Sequence, residues 1–129
     1  MSLLLVTHDL GVVAEAAQRL VVMYAGRVVE EGPVREVFRA PKHPYTEGLL
    51  RTVPRPGERR ARGEADRPER LPTIEGAPPD PRRPLAGCAF APRCSYADDR
   101  CRREDPPLAR QADSHVSRCH FAARVGETR

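Results

Sequence analysis

The residues best suited to chemistry are four cysteines, Cys88, Cys94, Cys101 and Cys119, and a histidine, His8, that ends a short apolar run. Thiolates bind metals, and the pattern Cys88-x5-Cys94-x6-Cys101-x17-Cys119 limits which. Structural zinc sites favour close Cys-x2–4-Cys pairs, and there is none here. Iron–sulfur clusters accept wider and more varied intervals. Without a metal, the thiols would act as small hydrophobes. Arg93, Arg100, Arg102, Arg103 and Arg118 stand close to the cysteines in sequence, and nearby cations would lower thiol pKa values and favour the metal-binding thiolate. His115 and His120 are reserve ligands. At His8, an imidazole at the end of a buried strand suits a bond to a terminal phosphate; it equally suits the lining of a turn.

These residues need elements to hold them. Leu3-Leu4-Leu5-Val6 is continuously apolar without alternation, which predicts a strand buried on both faces of a parallel sheet. Such a strand needs partners, and the chain offers no second parallel strand to flank it. Asp9 is placed to cap a helix carrying Leu10, Val13, Ala14 and Ala17 on one stripe. Leu20–Tyr24 and Arg27–Glu30 read as a hairpin turned at Ala25-Gly26 and closed by Gly32-Pro33, with a helix bearing Val34, Val37 and Phe38 beyond. Thr46–Val53 predicts a short helix with Leu49, Leu50 and Val53 inward; Pro44 fixes an extended approach, and Tyr45 packs beneath it. Pro54–Pro84 carries eight of the 14 prolines among Arg and Glu, the pattern of an extended or disordered linker.

Composition narrows the classes. At 129 residues, with 40% hydrophobic and 5% aromatic, the chain is long enough for one modest core but not richly supplied for it. Lys42 is the only lysine among 22 basic residues, yet 18 acidic residues hold the net charge to +4. Interspersed charge with few aromatics argues for a solvated surface and against a nucleic-acid binder. The opening apolar run ends at Thr7, far short of the ~18–20 residues a membrane span needs, so a cytoplasmic chain is expected.

Four blocks in order resemble the ATP-binding subunits of bacterial ABC importers. Leu4-Leu5-Val6-Thr7-His8-Asp9-Leu10 is similar to the segment in which the last core strand delivers a switch histidine to the γ-phosphate of ATP. Val22–Gly32 resembles the hairpin that follows. Pro41-Lys42-His43-Pro44-Tyr45-Thr46 resembles the His-Pro-Tyr signature of the oligopeptide/dipeptide branch, and Gly87–Cys94 through Cys119-His120-Phe121 its C-terminal extension. The resemblance implies an α/β fold: the C-terminal fragment of a P-loop ABC ATPase domain, residues 1–39, then the His-Pro-Tyr helical segment, 40–53. The linker, 54–84, a small irregular four-cysteine extension, 85–121, and a tail, 122–129, complete it.

It also implies a parent that binds ATP and Mg2+ and couples hydrolysis to import of peptides or nickel. His8 would be its catalytic and nucleotide-binding residue. The parent would sit against the inner face of the cell membrane, pairing with a second ATPase subunit under the membrane subunits. Some members of the branch hold a [4Fe–4S] cluster on four cysteines, which here would be Cys88, Cys94, Cys101 and Cys119. A phosphate-cradling loop requires Gly-x-x-x-x-Gly-Lys-Ser/Thr, but Lys42 precedes His43, and neither an Asp-Glu nor a Gly-Gly pair occurs. Those parts, the phosphate loop, signature and catalytic Glu, would lie upstream of Met1, so the chain alone is expected not to hydrolyse ATP. The alternative is a free-standing cysteine-cluster module, iron–sulfur or zinc, that takes part in interactions without catalysis.

Overall fold

The computed structural model describes residues 2–53, 73–80 and 82–126. Leu3–Val6 forms no strand: Leu3, Leu4 and Val6 are more than four-fifths exposed. The apolar run has strand chemistry, but the sheet among the described residues is wholly antiparallel and gives it no parallel neighbour. The described residues form a mixed helix-and-strand fold around one small antiparallel sheet, consistent with the expected C-terminal fragment of an ABC ATPase domain, while the buried parallel strand expected at Leu3–Val6 is not formed.

The local signals that follow are realised. Asp9 caps α1, Leu10–Ala16, by accepting from the Gly11 and Val12 amides at 2.8 and 3.3 Å. Of the expected stripe only Val13 is buried; Leu10 and Ala17 are half-buried and Ala14 is exposed. Strands β1, Arg19–Tyr24, and β2, Arg27–Pro33, pair antiparallel with Tyr24 opposite Arg27, which leaves a two-residue turn. Ala25 and Gly26 both take positive φ, 49° and 76°, the left-handed pair that matches strand twist. Burial alternates strictly from Leu20 to Tyr24, the mark of a strand with one face on the core. β2 runs through Pro33 itself, so α2, Val34–Arg39, begins one residue later than the proline.

Helix α3, Pro44–Thr52, starts at the proline of the His-Pro-Tyr sequence, so Pro44 opens the first turn and His43 is the residue extended before it. Its buried residues are Pro44, Thr46 and Glu47, whereas Leu49, Leu50 and Val53, expected inward, are half-buried. Glu47 can sit inside because Arg51 Nη2 and the Tyr96 hydroxyl both reach its carboxylate, at 2.8 and 3.2 Å.

Of the linker expected over 54–84, residues 54–72 and 81 fall outside the described residues, whereas residues 74 and 75 are anchored. Ile74 packs on the core and against Gly48, and Arg93 donates to the carbonyls of Ile74 and Glu75 at 2.7 and 2.8 Å. Beyond it come a 3-10 turn, Ala91–Arg93, and α4, Asp99–Arg103. Then follow two strands, β3, Ala109–Ala112, and β4, His115–Ser117. The sheet order is β1-β2-β4-β3, so the cysteine-bearing half of the chain extends the edge of the hairpin. The core is made from both halves: Val22, Tyr24 and Val29 of the hairpin meet Ala89 and Phe90 from the Cys88–Cys94 loop. Phe90 sits edge-on to Tyr24 at 5.2 Å and tilted against Tyr45 at 5.5 Å, with His43 at 5.8 Å. Aromatic pairs in such arrangements add about 1 kcal/mol each beyond their buried area.

Candidate functional site

His8 lies at the bend before α1 and is exposed. The Thr7 hydroxyl accepts the Asp9 amide at 3.0 Å, so the turn around His8 is satisfied without its ring.

The four cysteines are free thiols, with Cys101 buried and the others half-buried. Three of them are electrostatically coupled to other cysteines of the set: the Cys119 thiol feels Cys94, Cys88 and Cys101, the Cys94 thiol feels Cys88 and Cys101, and the Cys88 thiol feels Cys101. Each arm is fixed by backbone bonds. The Cys88 amide donates to the Cys101 carbonyl at 2.8 Å. Gly87 makes that approach possible, since a Cβ there would lie 2.5 Å from the same carbonyl oxygen. Asp98 caps α4 by accepting the Cys101 amide at 3.0 Å, a bond that holds its carboxyl below the ordinary range. The Cys119 sulfur accepts the Phe121 amide at 3.4 Å, and backbone amides likewise approach the sulfurs of Cys88 and Cys94.

The expectation of arginine-activated thiolates is corrected. Burial pushes the Cys88 thiol up, Cys94 to about 11 and Cys119 to about 12. The arginines counted near them in sequence are largely spent elsewhere. Arg93 reaches two carbonyls and the Tyr24 hydroxyl, Arg100 pairs with Glu104, and Arg102 with Asp99. Arg118 pairs with Asp105. The reserve ligands are also engaged: His115 Nε2 is 2.6 Å from Glu30 Oε1, and His120 Nε2 donates to the Glu104 carbonyl at 3.2 Å.

Among the described residues no three His, Cys, Asp or Glu side chains are grouped to hold a metal ion. Four ligands around one zinc would bring sulfurs to about 4 Å of each other, so the structure gives no support to a zinc site. A [4Fe–4S] cube places each thiolate on a different iron and so spreads them more widely. Backbone amides approach the sulfurs of three of the four thiols, Cys88, Cys94 and Cys119.

A second, polar centre, which sequence reading did not single out, is built around Glu30. Glu30 is fully buried. Its Oε1 accepts the Lys42 amide and its Oε2 the His43 amide, at 2.6 and 3.0 Å, while His115 bonds Oε1. His43 is 1% exposed, its Nδ1 accepts the Tyr45 amide at 3.1 Å, and burial lowers its pKa to about 4. The ring is therefore neutral, with its proton on Nε2. Ser117 Oγ donates to the Lys42 carbonyl at 2.7 Å. The His-Pro-Tyr turn is thus bonded on one side to β2 and on the other to β4.

This combination, a hairpin joined through a His-Pro-Tyr helix to a cysteine-bearing segment, falls within the part of the chain that matches the C-terminal region of peptide-transport ATP-binding proteins. The family model described as the oligopeptide/dipeptide transporter C-terminal region matches residues 29–101, more than half of the chain, and the chain belongs to that family. A Brucella ovis protein named for peptide import and ATP binding is 58% identical over 119 residues, 92% of this chain and 35% of its own length. The dipeptide transport ATP-binding protein DppD of Escherichia coli is 47% identical over 94% of this chain and 35% of its own. DppD of Haemophilus influenzae is 45% identical over 93% and 34%. The chain thus spans about a third of the length of these relatives, whose names give no support to the free-standing module. No helix among the described residues is long and apolar enough to cross a membrane.

Proposed function

We propose that this chain is the C-terminal region of the ATP-binding subunit of an ABC importer of peptides, and that it works only with the rest of that ATPase. The observation that carries the reading is identity of 58% across 92% of the chain to a protein named for peptide import and ATP binding. In the complete subunit Leu3–Val6 would enter the ATPase sheet, and His8 would meet the γ-phosphate as donor and water-positioning group. ATP with Mg2+ is the substrate of the whole subunit. Its partners would be the remainder of the ATPase domain, a second ATPase subunit and the transporter's membrane subunits, at the inner face of the cell membrane. The exposed run is consistent with this, because apolar residues left in water are ones a missing neighbour would cover.

The second part of the proposal is that Cys88, Cys94, Cys101 and Cys119 hold a [4Fe–4S] cluster. What supports it is the set of four free thiols, three of them electrostatically coupled to other cysteines of the set, and the amides directed at three of the sulfurs. Bound there, a cluster would supply a covalent tie among the loops of the extension and a one-electron redox centre. High thiol pKa values do not oppose it, since a coordinating metal displaces the proton.

Two measurements test these parts separately. Millimolar ATP should leave the melting of the isolated chain unchanged, and a clear upward shift would contradict the absence of a phosphate site. Protein purified anaerobically should carry iron and acid-labile sulfide; finding neither would end the cluster reading.

A further inference from the structure

Cys119 is bracketed by two residues that grip the same short segment. Arg118 Nη1 donates to Asp105 Oδ2 at 3.0 Å and to the Pro106 carbonyl at 3.2 Å. On the other side, His120 donates to the Glu104 carbonyl at 3.2 Å. Glu104 caps the C-terminal end of α4, the helix that carries Cys101, so both neighbours of Cys119 are fastened to the arm of Cys101. The same arginine is anchored to the hairpin. Its amide donates to the Val29 carbonyl at 2.8 Å and its Nε to the Val28 carbonyl at 3.0 Å. Arg27, at the head of β2, completes the knot with a 2.7 Å bridge to Asp105 Oδ2.

We infer that Arg118 and Asp105 are positioning residues that set the separation of Cys119 from Cys101 and tie that separation to strand β2. This rests on the cluster reading above and deepens it, since outer groups that orient ligands control metal retention. The guanidinium fork is what the geometry requires. It reaches Asp105 and Pro106 on one arm while Nε holds Val28, and a lysine, with one ammonium, cannot span both. The inference concerns geometry and not charge, so Arg118→Lys should fail to replace Arg118 although the net charge is unchanged.

The test compares the whole chain with Arg118→Lys and Asp105→Asn, all prepared anaerobically. Iron and sulfide per chain, cluster lifetime under a chelator, and far-UV circular dichroism are recorded for each. A purely structural mutation elsewhere, Arg19→Ala, which removes an exposed bridge to Glu31, serves as the control. The expected result is cluster loss about tenfold faster in Arg118→Lys and Asp105→Asn than in the control, at matching dichroism. Equal lifetimes in all four proteins would overturn the inference. Alkylation of Cys119 in metal-free protein, followed by mass spectrometry, is a readout that does not depend on iron. The half-buried thiol should react severalfold faster once Arg118 is replaced, and an unchanged rate would overturn the clamp. An iron-free wild-type chain with clamp-dependent alkylation would instead sink the cluster reading and leave the clamp standing.

Discussion

Glu30 and His115 stand 85 positions apart in sequence and meet in the interior, with Nε2 2.6 Å from Oε1. The carboxylate is fully buried and the histidine 3% exposed. With the amides of Lys42 and His43 on the same carboxylate, one side chain joins β2, the His-Pro-Tyr turn and β4. Removing it would strand three donors at once, those of His43 and His115 in buried bonds and that of Lys42 in a part-buried one. Glu30→Ala should therefore destabilise the chain by about 3–5 kcal/mol, measured by urea unfolding. Glu30→Gln, which keeps the shape and one acceptor oxygen, should lose less. Equal, small losses for both would mean the network contributes little.

His43 gives the fold a defined acid sensitivity. Its pKa falls from the ordinary 6.5 to about 4 because the ring is buried with no charged partner. As pH drops below 6.5 the unfolded chain takes up the proton before the folded chain does. The stability at stake is thus present in full above 6.5 and is lost progressively toward pH 4, to about 3 kcal/mol. His43→Asn keeps an acceptor for the Tyr45 amide but does not titrate. Between pH 7 and 4 its stability should fall about 3 kcal/mol less than that of the wild type, and parallel curves would contradict the assignment.

Gly87 is required by space. Any Cβ there would meet the Cys101 carbonyl oxygen at 2.5 Å and the Arg102 carbonyl carbon at 2.6 Å. Backbone cannot swing aside as a side chain does. Gly87→Ala should cost about 1–3 kcal/mol and break the Cys88–Cys101 backbone bond. The checks are urea unfolding and faster alkylation of Cys88. An unaltered midpoint would mean the two arms are free to separate.

What sequence reading could reach was set by range. The Asp9 cap and the Ala25-Gly26 turn act over a few residues, and both are present as expected. Leu3–Val6 was legible in type but not in outcome, because a parallel strand exists only beside other strands. Nothing in the local sequence marks Glu30 as buried; its burial depends on His115 and on an amide pair 12 and 13 residues away. The arginines misled for a related reason. Proximity along the chain put them beside the thiols, whereas in space their guanidinium groups turn to carboxylates and carbonyls, and desolvation governs the sulfurs. A histidine bracketing a cysteine, as at His115 and His120, was legible as a metal ligand for want of any sign of its actual partners.

The central claim is that these residues complete a peptide-transport ATPase in which His8 faces the γ-phosphate. The most direct measurement replaces the matched 119-residue segment of the Brucella ovis relative with this chain and follows ATP hydrolysis with and without His8→Ala. The account predicts hydrolysis by the graft and a fall of about a hundredfold in kcat on His8→Ala, the scale expected for losing one donor aimed at transition-state charge. A folded graft that hydrolyses ATP equally well without the His8 imidazole would contradict it.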